Sequence, residues 1–234
     1  MLSIIIPTLN EEEYLPKLLN CLQSQKLKDD EIIVSDGDSK DNTVKIAKKH
    51  GCQVIISTKL SPAHQRNKGA QKAKGDLLLF LDADTLLPAN FFQSVLKEFK
   101  KRKLDVASFY FKLNSNKLTY KIASVFGYIN CFLFHRIHPI SIGAGILAKK
   151  QYHKKIGGFD ESLLIGEDHL YSASIKKSGG KFGLIKSRKI LFSTRRFKKE
   201  GFFKVLFKWY YMTFYFLIRG PIKKKVIKYE FGNY

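Results

Sequence analysis

The run Asp76-Leu77-Leu78-Leu79-Phe80-Leu81-Asp82-Ala83-Asp84-Thr85 carries five consecutive apolar residues straight into two carboxylates one residue apart. A continuous apolar stretch of that length, without alternation, suits a strand buried on both faces. Two acids where such a strand emerges offer hard oxygen ligands of the kind Mg²⁺ or Mn²⁺ takes. The competing reading is a pair of solvated turn aspartates. An apolar strand is an awkward lead into an ordinary turn, which favours the metal.

The same arrangement recurs on the N-terminal side. Leu2 to Ile6 is a β-branched run closed by Pro7-Thr8-Leu9-Asn10, so it reads as a buried strand and a turn. Glu11 to Ser24 has helical spacing, with Leu15, Leu18, Leu19 and Leu22 on one face. Glu31 to Ser35 is a second strand, followed by the polar turn Asp36-Gly37-Asp38-Ser39, and Asp41-Asn42 is placed to cap a helix running to His50. Gln53 to Ser57 reads as a third strand and Pro62 to Lys74 as a helix ended by Gly75. Beyond the two acids, Pro88 opens another helix, and Val106 to Leu113 alternates as a strand.

Alternating strands and helices predict an α/β fold, a mainly parallel sheet with helices on both sides. Ligands of such sheets bind outside the carboxyl ends of the strands. Thr8 to Glu11, Asp36 to Ser39 and Asp82 to Thr85 are therefore expected to converge on one crevice. Asp36 or Asp38 there can accept from a base N–H or a ribose hydroxyl, although Asp and Gly are also ordinary turn residues.

After about residue 113 the pattern changes. Residues 1–113 read as the nucleotide-binding half, 114–194 as the acceptor-binding half of the same domain, and 195–234 as a basic, aromatic tail. Glu167-Asp168 follows Gly166 and opens a helix through Lys177. A carboxylate at a helix start is stabilised by the dipole, and it is also suitably placed to act as a general base. Arg66, Arg195 and Arg196 are the arginines placed to offer a guanidinium fork to phosphate oxygens, or else to be solvated charges. His135 and His138 stand three residues apart with Pro139 next, which favours a loop or interfacial role over a metal site. Gly143-Ala144-Gly145 lacks the spacing of a dinucleotide fingerprint.

The chain has 234 residues, 44% hydrophobic and 26% charged, enough for one large domain with a sizeable core. Its 42 Lys and Arg against 20 Asp and Glu give a charge of +22, which favours anionic partners without choosing among them. A general bias toward lysine explains part of that excess equally well. Cys21, Cys52 and Cys131 fit neither a disulfide framework nor a zinc ribbon and read as free thiols of a reducing compartment. No basic leader precedes Leu2, so a cytoplasmic placement is expected.

Taken in order, these stretches resemble glycosyltransferase family 2, with the GT-A fold. The resemblance rests on Ile4-Ile5-Ile6-Pro7-Thr8-Leu9-Asn10-Glu11-Glu12, Val34-Ser35-Asp36-Gly37-Asp38-Ser39, Arg66-Asn67-Lys68-Gly69-Ala70 and Phe80-Leu81-Asp82-Ala83-Asp84-Thr85. Gly143-Ala144-Gly145, Gly157-Gly158-Phe159-Asp160-Glu161 and Gly166-Glu167-Asp168 complete it, so it covers residues 2 to about 196. It implies an inverting, metal-assisted transfer of a sugar from a UDP or GDP sugar. Pro7, Thr8, Glu11, Asp36 and Asp38 would line the nucleoside pocket, and Arg66 would lie near the diphosphate. Asp84 would be the main ligand of Mg²⁺ or Mn²⁺, with Asp82 facing the ribose or sharing the metal. Asp168 would be the base, and Gly143, Ala144, Gly145 and Glu167 would meet the sugar or the acceptor. Ile175-Lys176-Lys177 stands where family members often carry an arginine, so no role is implied there. Ser193-Thr194-Arg195-Arg196-Phe197 resembles a late arginine-containing element, which implies a donor-phosphate role for Arg196.

Gly201 to Ile218 is dense in Phe, Tyr and Leu, but Lys204 and Lys208 interrupt it, and Trp209 to Ile218 is shorter than the ~20 residues of a spanning helix. Lys204, Lys208, Tyr211, Tyr215 and Arg219 fall on one narrow face and the rest is apolar, which suits a helix lying in a membrane interface. Residues 195–234 hold 11 Lys and Arg against 2 Asp and Glu, including Lys223, Lys224, Lys225 and Lys228, which suits an anionic leaflet. The alternative is a helix packed on the catalytic domain. The expected partners are thus a nucleotide-sugar donor, a lipid or glycan acceptor and an anionic membrane surface, met peripherally on the cytoplasmic face. A polyprenyl phosphate is the favoured acceptor.

Two other functions compete. A nucleotidyltransferase shares the alternating fold and the metal acids, but it usually needs a Gly-rich, basic loop after the first strand, and Pro7-Thr8-Leu9-Asn10 supplies neither. A non-catalytic basic nucleic-acid-binding module leaves the acidic turns unexplained, since carboxylates repel phosphate, so no nucleic-acid partner is expected.

Overall fold

The computed structural model describes residues 1–25, 29–134, 139, 141 and 143–220. His135, His138 and the lysines beyond residue 220 lie outside these described residues. In chain order the elements are β1 (Leu2–Thr8), α1 (Leu15–Gln23), β2 (Glu31–Asp36), α2 (Thr43–Lys49), β3 (Gln53–Ile56) and α3 (Pro62–Lys72). Next come β4 (Leu77–Leu81), β5 (Thr85–Leu86), α4 (Phe91–Lys101), β6 (Val106–Leu113) and α5 (Leu118–Phe134). The last are β7 (Gly145–Lys149), α6 (Lys150–Lys155), α7 (Glu167–Lys177), β8 (Phe182–Phe192), α8 (Arg195–Glu200) and α9 (Phe202–Arg219).

Eight strands form one sheet in the order β3-β2-β1-β4-β7-β6-β8-β5. The β3-β2-β1-β4 run is parallel, as expected, and so is the β6-β8 pair. β7 runs antiparallel between β4 and β6, and β5 is a two-residue antiparallel edge on β8.

The apolar strands bury both faces with period two. Ile4, Ile6, Leu79 and Leu81 join one core with Leu15, Leu18, Leu19 and Leu22 of α1 and with Phe91, Val95 and Phe99 of α4. Ile5, Leu78 and Phe80 face the opposite core with Ala63 and Ala70 of α3 and Tyr171 and Ile175 of α7. Each fully buried leucine of α1 contributes about 1.5–3 kcal/mol, so helices on both sides follow from the two-sided strands. His153 belongs to the second core: its Nδ1 pairs with the Tyr171 hydroxyl at 3.1 Å, and burial pushes its pKa down to about 4, so the ring packs as a neutral group.

Local chemistry sets the element ends. α1 begins at Leu15 rather than Glu11 because Asn10 adopts φ 53° and the Glu11 carbonyl accepts from the Tyr14 and Leu15 amides in a separate turn. α3 starts where Ser61 accepts from the His64 amide and Pro62 presets the first turn. α4 opens at Phe91, not Pro88, because Asn90 is left-handed at φ 56°. Gly145 is a packing glycine in β7: a Cβ there would stand 2.2 Å from Ile190 Cδ1 and 2.9 Å from Phe109 Cδ2.

The C-terminal helices form a third cluster, in which Phe197 of α8 and Val205 of α9 pack with Tyr120 and Ala123 of α5. Trp209 stacks edge-on to Phe197 at 5.1 Å. α9 therefore does pack on the domain, along Phe202, Val205, Leu206 and Trp209. Of the polar face expected from its spacing, Lys204 and Tyr211 are exposed, while Lys208 turns back into an ion pair with Glu200. Aromatic residues face out as well: Phe203 is 82% exposed, Phe207 71% and Phe214 65%.

Candidate active site

The carboxyl ends of β1, β2 and β4 bring the polar turns together. Asp36, at the end of β2, is fully buried and accepts from the Thr8 hydroxyl, the Ser39 amide and the Ser39 hydroxyl, each at 2.7 Å. This locks the β1 and β2 ends into one platform. Pro7 pairs with Ser35 one register step earlier. Asp38 does not join it: at φ 67° its exposed side chain pairs with Lys40.

Two arginines hold the acids. Arg66, on α3, is 3% exposed and bridges Asp82 Oδ1 at 2.9 Å and Glu167 Oε1 at 2.8 Å. Its Nε is buried with no hydrogen-bond partner among the described residues. Arg195, the first residue of α8, grips both carboxylate oxygens of Glu11 at 2.7 Å, and its Nε forms an ion pair with Asp84 Oδ2 at 3.0 Å. It also lies over the Tyr14 ring, 4.7 Å from its centroid. The late arginine that reaches the acids is thus Arg195, one residue before the Arg196 that the sequence resemblance singles out. The short turn after β8 carries this residue across the sheet's carboxyl edge.

Burial dominates the electrostatics. It pushes Glu11 up to about 7, with Arg195 pulling the other way. Asp82 rises to about 6 through burial, countered by Arg66 and reinforced by Asp84. Glu167 is raised by burial and then by the charge of Asp168. Carboxylates whose ionisation a crevice opposes mark it as a candidate functional site.

Asp168 begins α7. Its Oδ1 accepts from the neighbouring His169 amide at 2.8 Å, which leaves Oδ2 toward Gly143. A Cβ at Gly143 would lie 3.3 Å from Arg66 Nη2, 3.4 Å from Asp168 Oδ2 and 3.7 Å from Asp82 Oδ2. The missing side chain is what keeps that space open between the base candidate and the acid pair. Ala144 and Gly145, expected beside it, face the core instead, Gly145 against Ile190 of β8 and Phe109 of β6. On the other flank of Asp84 lies a cavity of about 200 Å³, lined by Tyr14, Lys17, Asn114, Thr194, Arg195 and Lys198 among others.

Among the described residues no three His, Cys, Asp or Glu side chains cluster as a complete metal cage. The donor set still fits a hard divalent cation, since such an ion commonly takes one or two carboxylates and completes its shell with water and substrate phosphate. Asp84 already faces a positive charge, the Arg195 guanidinium.

A family model described as Glycosyl transferase family 2 matches residues 3–157. The chain belongs to glycosyltransferase family 2. Among its relatives, the GalNAc(5)-diNAcBac-PP-undecaprenol beta-1,3-glucosyltransferase of Campylobacter jejuni is 36% identical over 90 residues, which is 36% of this chain and 29% of that one. The solved structure of Staphylococcus aureus TarS residues 1–349 with UDP-GlcNAc superposes with a TM-score of 0.66 at 21% identity, over 83% of this chain and 58% of that one. The mannosyltransferase PcManGT of Pyrobaculum calidifontis, in complex with GDP-Man and Mn²⁺, gives a TM-score of 0.62 at 21% identity, over 77% of this chain and 53% of that one. These superpositions establish the GT-A fold. The chain spans about a third or less of the length of the curated relatives it matches.

Proposed function

We propose that this family 2 chain is a glycosyltransferase, moving a sugar from a nucleoside-diphosphate sugar, UDP- or GDP-linked, to a lipid-linked acceptor, with inversion at the anomeric carbon. The carrying observation is the convergence at Gly143, where Arg66 Nη2, Asp82 Oδ2 and Asp168 Oδ2 all lie within 3.7 Å of where a side chain would begin. In this reading Asp168 takes the proton of an acceptor hydroxyl as its oxygen bonds to the anomeric carbon, and the bond to the diphosphate breaks on the opposite face. The Thr8–Asp36 platform receives the nucleoside. Arg66 holds Asp82 and Glu167 rigid, so that little reorganisation is needed as charge develops. Asp84, with Asp82 beside it, would hold Mg²⁺ or Mn²⁺, which when bound neutralises charge on the leaving diphosphate. Relatives support the substrate classes: a PP-undecaprenol substrate, UDP-GlcNAc and GDP-Man with Mn²⁺ occur in their names.

A donor screen tests this reading: thermal shift and hydrolysis with UDP-, GDP- and TDP-sugars, with and without Mn²⁺. One donor class should stabilise the chain and turn over only with metal, and no response to any donor would refute the proposal. With a hydroxyl acceptor, Asp168→Asn should lower turnover about 10²–10⁴-fold while the donor still binds. A defect of only a few-fold would identify a phosphate acceptor, already ionised, as with polyprenyl phosphate.

We read the outer faces of α5 and α9 as a peripheral membrane surface on the cytoplasmic side. Supporting it are the exposed Phe203, Phe207 and Phe214 on α9, and the exposed Leu118, Ile122, Val125 and Phe126 on α5, with Tyr120 and Phe202 joining the helices at 5.3 Å. No helix among the described residues is long and apolar enough to cross a membrane. Basic residues flank the aromatic ones, as anionic lipid requires. Phe207→Glu should weaken co-sedimentation with phosphatidylglycerol vesicles about tenfold, and wild-type binding should fall with added salt. Equal binding by the variant and the wild type would dismiss this surface.

A further inference from the structure

We propose that Arg195 is a built-in stand-in for the divalent cation: it closes the donor site when no metal is present, and the metal displaces its Nε from Asp84 while its two terminal nitrogens stay on Glu11. This rests on the metal reading of Asp84 given above. The guanidinium meets the two acids through different edges. Its terminal nitrogens match both oxygens of Glu11 at 2.7 Å, and Nε alone meets Asp84 at 3.0 Å. A cation arriving at Asp84 therefore has one ion-pair contact to break, and the bidentate anchor survives.

The surroundings allow the motion. Arg195 and Asp84 both line the 200 Å³ cavity, so the carboxylate and the guanidinium have space in which to part. Lys17, Asn114, Thr194 and Lys198 line the same space, which suits the phosphate oxygens a metal would bring with it. Glu11 sits far from Arg195 in sequence, so the pair is a tertiary clasp between β1's exit loop and α8. Movement of Arg195 is also transmitted: two residues on, Phe197 packs against Trp209 at 5.1 Å, Phe202 at 5.6 Å and Tyr120 at 5.6 Å. Trp209 is the chain's single tryptophan, so it reports on α8.

The test is Mg²⁺ binding to the full chain without nucleotide, by calorimetry and by Trp209 emission. Arg195→Met should tighten Mg²⁺ about tenfold or more, since the competing charge-assisted bond is gone. Arg195→Lys keeps the charge but cannot span both acids, and it should recover most of that tightening. Wild-type emission should change with Mg²⁺ saturation, and the change should be absent in Arg195→Met. Wild-type-like affinity in both variants would overturn the latch. So would wild-type affinity in Arg195→Lys with tightening only in Arg195→Met, which would mean a bulk charge effect. Asp84→Asn separates the two layers. If it binds Mg²⁺ as wild type does, the metal reading falls and the latch with it. If it loses Mg²⁺ while Arg195→Met gains nothing, only the latch falls.

Discussion

Replacing Arg66 with methionine is expected to cost the folded chain about 3–5 kcal/mol, the penalty for stranding a buried charge partner. Arg66 is the cation shared by Asp82 and Glu167, at 2.9 and 2.8 Å, and its side chain is 3% exposed. Methionine fills the space without the charge, leaving two carboxylates that burial already pushes up. Their remaining option is protonation, so the loss should be smaller at pH 5 than at pH 8. Urea denaturation at both pH values measures it, and a cost below about 1 kcal/mol at pH 8 would show that the bridge does not hold the site. Adding Glu167→Gln to Arg66→Met should return part of the loss, because one of the two stranded charges is gone, and a double-mutant cycle reads that coupling.

The second large effect is on turnover. Asp84→Ala is expected to lower transfer by about 10³-fold, equivalent to the several kcal/mol that a metal supplies to a charged leaving group. Stability should change by only about 1 kcal/mol, because Arg195 keeps its two bonds to Glu11 and a neighbouring negative charge is removed. Initial rates against Mg²⁺ and Mn²⁺ concentration check the result. Near wild-type turnover with added metal would remove Asp84 from the metal site.

Much of the parallel half was readable from local pattern. The runs ending at Ile6, Ser35, Ser57 and Leu81 locate four strands, because two-sided burial leaves a continuous apolar signature and the turns after them are polar. Glu167–Lys177 was legible from Gly166 and the acids after it. β8 was not, since Ser187, Arg188 and Lys189 interrupt its apolar residues as it passes the sheet's edge. The orientation of β7 was also hidden, because periodicity carries no information on strand direction. At the site, the acids stood out while their partners did not. Arg195 and Glu11 are separated by 184 residues, and only the tertiary fold distinguishes Arg195 from Arg196. Helical spacing grouped Lys204 with Lys208, but Glu200 draws Lys208 inward, a pairing that a helical wheel does not contain.

β7 also bears on how the molecule is assembled. β4 and β6 are never neighbours; the only strand that joins them is β7, which pairs Leu81 with Gly145 and Ala107 with Leu147. A nascent chain that has released residues 1–113 already holds Asp82 and Asp84, yet Leu77–Leu81 then presents an apolar, unpaired edge. Such an edge invites pairing with other chains. The sheet's midline closes only once residue 149 has emerged, so synthesis passes through an interval in which the β3-β2-β1-β4 half is complete in sequence but open at its centre. Holdase chaperones would find their substrate in that interval, and cutting the gene between the two halves would prolong it indefinitely.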